Sequence, residues 1–128
     1  MRSVLTTLLA ASFGLLVAFA APSARAGDVQ LIMVEEHGCM WCARWNAEIG
    51  DTYPKTPEGR AAPLRRIDIR DERPEDLTFA RPVTFTPTFV LVEDGVEVAR
   101  IEGYPGEDFF WGLLEMQLKE HTGYEGAS

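Results

Sequence analysis

The run Val29-Gln30-Leu31-Ile32-Met33-Val34 is apolar at every position but Gln30. A short run of this kind predicts a buried central strand, here from Asp28 to Glu35. Glu36-His37-Gly38 then reads as a loop. Trp41, Trp45 and Ile49 recur at helical spacing, so a helix is expected from Cys39 to about Ile49, stopped by Gly50. Trp45 and Ile49 would pack on the sheet and Trp41 would stay partly exposed. Asp51 to Pro63 is polar and turn-rich, with Thr56-Pro57-Glu58 as a cap and a first-turn proline.

Leu64 to Ile69 predicts a second strand with Ile67 and Ile69 inward, and Pro74 to Phe79 a short helix. Thr88 to Val92 and Val96 to Ile101 are a third and fourth strand, the latter alternating cleanly. Glu93-Asp94-Gly95 joins them as a tight hairpin turn. After the loop Gly103-Tyr104-Pro105-Gly106, a last helix runs from Glu107 to about His121. Phe110, Leu113, Leu114, Gln117 and Leu118 trace its inner face, with Gln117 at the edge. His121 would be solvated, and the tail from Thr122 frayed. This order gives an α/β fold: a mixed four-stranded sheet, βαβ then ββα, with helices on both faces.

The N-terminal residues have a different character. Arg2 is followed by an apolar stretch, Val4 to Ala21, then Pro22 and the small-x-small site Ala24-Arg25-Ala26. This is the pattern of a cleaved secretory signal peptide over 1–26, leaving one domain over 27–128. The chain of 128 residues carries a net charge of −8; without Arg2 and Arg25, ten basic residues face twenty acidic ones. With no basic stripe, nucleic-acid binding is not expected. An acidic surface favours solubility and steers basic partners.

The only two cysteines are Cys39 and Cys42, at the junction of strand and helix. The first turn of a helix presents unpaired N–H groups and a positive dipole end. A thiolate there is stabilised, with its pKa lowered from about 8.5 to roughly 3.5–7.5. The second cysteine, one turn on, is within reach of a disulfide. As a structural staple such a short loop contributes only about 2 kcal/mol. A structural zinc site needs four ligands, and His37 and His121 are the only histidines. Copper(I) held by Cys39, Cys42 and His37 is an alternative on ligand chemistry. Export places the pair where disulfides persist, so redox exchange is the leading reading.

Cys39-Met40-Trp41-Cys42 after an apolar strand, with Thr86-Pro87-Thr88-Phe89 leading into the hairpin, resembles the thioredoxin superfamily. Ala62-Pro63-Leu64-Arg65-Arg66-Ile67-Asp68-Ile69 and Gly103-Tyr104-Pro105-Gly106-Glu107-Asp108-Phe109-Phe110-Trp111-Gly112 are similar to a narrower group. That group is the small periplasmic thioredoxin-like proteins of bacterial sulfur-oxidation systems, the SoxS type. The resemblance implies a thioredoxin-like fold with a cis bond before Pro87. It implies a thiol–disulfide oxidoreductase with Cys39 attacking, Cys42 resolving, and Trp41, Thr86 and Pro87 contacting the partner. It further implies a periplasmic reductant of cysteine on a sulfur-carrier protein, supplied by a membrane electron donor, with no cofactor beyond the cysteine pair and a monomeric state.

Many members carry a buried acid six residues before the first cysteine; that position here is Met33. Glu35 and Glu36 are the nearest carboxylates. Glu36 and His37 are therefore candidate modulators, against a plain reading as solvated loop residues. Other readings are a cytochrome c maturation reductase, the copper(I) chaperone and a non-catalytic binding module.

Overall fold

The computed structural model describes residues 27–127. The expected signal peptide over 1–26 lies outside the described residues. Four strands form one mixed sheet: β1 (Val29–Glu35), β2 (Leu64–Asp68), β3 (Thr88–Glu93) and β4 (Val96–Glu102), in the order β2-β1-β3-β4. β1 runs parallel to β2, with Leu31 opposite Leu64 and Met33 opposite Arg66. On its other side β1 is antiparallel to β3, with Met33 opposite Phe89 and Val34 opposite Thr88. The expected central strand is therefore central, and its carboxyl end leads directly into the cysteine pair.

The expected first helix comes in two parts. α1 (Met40–Trp45) is α-helical with Cys39 as its N-cap, and Asn46–Gly50 continues as a wider π-helical turn. Trp45 and Ile49 both face the sheet across that change and are fully buried, while Trp41 is about half exposed. A turn of 3₁₀ helix (Tyr53–Lys55) precedes α2 (Pro57–Ala61). The Thr56 hydroxyl caps α2 by accepting from the Gly59 N–H at 3.0 Å. α3 (Glu107–His121) buries Phe110, Leu114 and Leu118, with acids in its first turn and Lys119 and His121 in its last. Gln117 is half-buried and donates its amide to the Arg100 carbonyl at 3.0 Å.

The helices share one face of the sheet. Leu31, Met33, Phe89 and Leu91 pack there with Trp45, Ile49, Tyr53, Phe110, Leu114 and Leu118. Trp45, Phe89 and Phe110 form an aromatic triangle with centroids 4.9–5.7 Å apart.

Helices were expected on both faces, with a short one over Pro74 to Phe79, but among the described residues the opposite face carries none: the chain there makes a turn at Glu75 and Asp76 and then an isolated bridge at Thr78. Thr78 exchanges backbone bonds with the outer edge of β4, to the Gly95 carbonyl at 2.8 Å and from the Glu97 N–H at 2.9 Å. Those open edge groups outcompete one marginal helical turn. Leu77, with Phe79 and Val83, covers Ile32, Val34, Val90 and Val92. Ile67 and Ile69 pack on this face, whereas Leu64 packs on the helical one.

Two further expectations change. β4 does not alternate cleanly, because a bulge shifts the register between Leu91 and Val92 and turns Val98 and Ala99 toward the same core. The tail from Thr122 is tied down rather than frayed. Tyr124 packs on the core and its hydroxyl lies 3.3 Å from Glu58 Oε1. The hairpin turn is as expected, with Asp94 at φ 51° and Gly95 at φ 80°. A Cβ at Gly95 would lie 2.1 Å from the Asp76 carbonyl oxygen, so only glycine fits.

One ion pair is buried. The Arg100 and Glu97 side chains are each only 5% exposed and meet in a fork at 2.5 and 2.8 Å. Arg100 also donates to the Arg81 carbonyl at 2.8 Å and the Pro82 carbonyl at 3.3 Å, and the Ala80 N–H donates to Glu97 at 2.7 Å. Burial pushes the Glu97 carboxyl up, but the bonds from Arg100 and Ala80 outweigh it, so it lies below the ordinary carboxylate value. A depressed carboxyl adds stability above its unfolded-state pKa, and that contribution is lost as pH falls through the folded-state value. Glu97→Gln should therefore cost about 2–3 kcal/mol in urea unfolding at pH 7. The gap to wild type should close as pH falls below about 4. Equal stability at pH 7 would show that the pair holds nothing together.

Candidate redox site

The site is built where β1 hands over to α1. Gly38, at φ 81°, turns the chain, and Cys39 follows in extended conformation as the N-cap. The Cys39 Sγ accepts a hydrogen bond from the Cys42 backbone N–H at 3.1 Å. One of the unpaired donors of the helix start is thereby spent on sulfur. The two cysteines form a disulfide with Cα atoms 5.2 Å apart. Their surroundings differ: Cys42 is 3% exposed, whereas Cys39 is only partly buried. The outer sulfur thus has the hydrogen-bond donor and the greater access, and the inner one is almost fully buried.

A polar cleft of about 420 Å³ opens beside the disulfide on the β2 side. Cys39 and Cys42 line it with Glu35, Glu36, His37, Asn46, Arg66 and Asp68 among others. Glu36 and His37, the two candidate modulators, thus share one cleft with both sulfurs. Arg66 organises this wall. Its guanidinium donates to Glu35 at 2.9 Å and to Asn46 Oδ1 at 2.8 Å, lies 3.4 Å from Met33 Sδ, and sits 5.7 Å from the Trp45 ring centroid. Arg70 pairs with Glu36 at 3.7 Å and with Asp68 at 3.4 Å. Bonds from Arg70, the backbone N–H first, draw the Asp68 carboxyl below its ordinary value.

The β3 side of the disulfide is different. The pairing of Val34 with Thr88 brings Thr86 and Pro87 to the same end of the sheet as the cysteines. The Thr86–Pro87 bond is cis, and Pro87 is buried while Thr86 is half-buried. Neither residue lines the polar cleft, nor does Trp41. Phe85, just before Thr86, is 48% exposed, and the cysteine helix itself exposes Met40 (74%) and Trp41 (48%). Among the described residues no three His, Cys, Asp or Glu side chains come together as a metal-binding group. His37 joins the cysteines in the cleft without forming a ligand set with them.

Sequence reasoning missed Arg66, Asn46, Asp68 and Phe85. Arg66 left one signal: it alternates with Leu64 on the helix-facing side of β2, an odd place for a charge. Its register opposite Met33 is a long-range fact that no local pattern carries. Phe85 left the signal of an aromatic residue two positions before the proline of interest.

The chain matches the model of the thioredoxin-like domain over residues 21–117. Among solved structures it is similar to the periplasmic thioredoxin SoxS from Paracoccus pantotrophus in its reduced form. The two are 56% identical with a TM-score of 0.71, over 72% of this chain and 97% of that one. No curated protein matches it.

The difference between the sulfurs is measurable. In the reduced protein, iodoacetamide should modify Cys39 with a pH midpoint at least about one unit below 8.5, and Cys42 should resist it. Equal rates with free-cysteine pH dependence would remove the basis for assigning separate roles.

Proposed function

The chain belongs to the thioredoxin-like family and is a thiol–disulfide oxidoreductase, and from that premise we propose that it works in the periplasm as a reductant of a partner protein's cysteines. The observation that carries the assignment of roles is the unequal treatment of the sulfurs. Cys39 receives the Cys42 N–H at 3.1 Å and is reachable, while Cys42 is 3% exposed.

The Cys39 thiolate attacks one sulfur of the partner's disulfide and expels the other as a thiolate, leaving a mixed disulfide. Cys42 then loses its proton toward the polar cleft that Glu35 and Glu36 line. Its thiolate attacks the Cys39 sulfur and releases the partner's second thiol. The Cys39–Cys42 disulfide closes, and two electrons have passed to the partner. Trp41, Thr86 and Pro87 are the contacts for the partner's extended segment, which would lie along the backbone before β3 as an added strand. Glu36 and His37 modulate the sulfurs from the cleft.

The electrons reside on the cysteine pair, so no bound cofactor takes part. An electron donor in the membrane restores the thiols, and the protein acts as a monomer released from its signal peptide. The similar structure is of a periplasmic thioredoxin, which supports the compartment. The kinship with sulfur-oxidation proteins makes a cysteine on a sulfur-carrier protein the leading substrate.

Cys42→Ser removes the resolving thiol and should leave the physiological partner covalently attached to Cys39, released by dithiothreitol and identifiable by mass. In the native compartment, acid quenching and alkylation should find the wild-type pair reduced. Recovery of no disulfide-linked partner, together with a Cys39→Ser variant that keeps full function, would make the domain a binding module instead.

A further inference from the structure

Trp41 stands between the cysteines, half exposed, yet it is not left loose. Arg44, one turn later, places its guanidinium 5.4 Å from the centroid of the Trp41 ring. The Arg44 Nε donates to Glu48 Oε1 at 2.7 Å. The second oxygen, Glu48 Oε2, accepts from the Tyr104 hydroxyl at 2.6 Å, across 56 residues of sequence. Tyr104 is 7% exposed and lies in the loop between β4 and α3. Its neighbour Gly103 donates its N–H to the Pro87 carbonyl at 2.8 Å. One run of contacts thus leads from the indole between the cysteines to the proline on the far side of the site.

A surface Arg–Glu pair at i,i+4 ordinarily contributes little, because both side chains stay mobile. Here the carboxylate is anchored at its other oxygen by a buried phenol. Bonds from Arg44 and then Tyr104 hold the Glu48 carboxyl below its ordinary value. Burial and the Glu48 charge push the Tyr104 phenol up. At neutral pH the phenol therefore donates and the carboxylate accepts, and Arg44 is fixed over the indole.

We propose that Arg44, Glu48 and Tyr104 are positioning residues that hold the Trp41 ring at the rim of the disulfide and tie the cysteine helix to the proline loop, so that a protein partner meets one fixed apolar face. This rests on the oxidoreductase reading and adds to it how a macromolecular substrate is favoured over a small one. The three residues act through Trp41 rather than on the sulfurs. A small disulfide needs only Cys39, whereas a polypeptide also needs the rim.

The test uses Tyr104→Phe, Glu48→Gln and Arg44→Gln, singly and in pairs, in the reduced full-length mature protein. Two substrates are compared: bis(2-hydroxyethyl) disulfide, and a peptide disulfide with leucine on both sides of its cysteine. Each single variant should slow the peptide reaction by about two- to fivefold, carried by KM, and leave the small disulfide unchanged. Pairs should be no worse than singles, because one broken contact already frees the ring. The Trp41 indole N–H resonance should move in every variant. Additive losses, equal losses on both substrates, or an unmoved Trp41 resonance would overturn the proposal. A wild-type protein that reduces neither disulfide would instead sink the oxidoreductase reading, while the Trp41 resonance still decides the network.

Discussion

The hydrogen bond from the Cys42 amide to the Cys39 sulfur is the smallest unit from which the site can be understood. It requires Cys39 to be an N-cap in extended conformation, and hence a strand that stops and a helix that starts at that residue. That in turn requires β1 to be held on both sides along its length, which the parallel β2 and the antiparallel β3 do. The same bond makes the pair unequal. A donor aimed at one sulfur stabilises negative charge there, while the inner sulfur sits against the core with almost no access. An ordinary disulfide staple gains nothing from such inequality; an exchange site depends on it.

Around this pair the surface divides along the direction of the sheet. The β2 side is polar, with Arg66 and Arg70 set among Glu35, Glu36 and Asp68. The β3 side carries Thr86, Pro87 and the exposed Phe85, while the cysteine helix exposes Met40 and Trp41. Parallel pairing accounts for the first: a βα unit brings the end of β2 beside the end of β1, and Arg66 lies opposite Met33. Antiparallel pairing accounts for the second: β3 starts where β1 ends, so the residues before it, Thr86 and Pro87, arrive at the site. The absence of a carboxylate at Met33 is consistent with this division, because the ionisable groups near Cys42 stand along the open cleft instead of beneath it.

Much of this was legible in the chain itself, and the exceptions have physical causes. The buried central strand, the cap at Thr56, the Asp94-Gly95 turn and the whole of α3 follow from short-range rules of period, capping and turn chemistry. The cysteine pair was legible because spacing and position between strand and helix are local facts. What failed depended on distant partners. Pro74 to Phe79 carries a helix-like composition, but the free edge of β4 claims Thr78. Val98 and Ala99 break the alternation because a bulge in the β3–β4 register turns them both inward. Arg66 acquires its place only through the parallel register, which sets it beside Met33 and Asn46.

The stretch that replaces the expected helix bears on the site as well as on the core. An irregular segment of this length has few backbone bonds of its own and would wander unless anchored. Its anchor is the guanidinium of Arg100, which holds the carbonyls of Arg81 and Pro82 while itself gripped by Glu97. Only a few residues farther on come Phe85, whose carbonyl accepts from the Thr88 hydroxyl at 2.8 Å, and Pro87, whose carbonyl accepts from Gly103. A buried ion pair is a weak source of stability compared with apolar packing. It does, however, supply several directed bonds at once, which packing cannot. Holding carbonyls of a helix-free segment in place needs directed bonds, and the segment so held leads to Thr86 and Pro87 at the cysteine end of the sheet. The interior charge is thus tolerated where a fixed loop matters more than the last increment of stability.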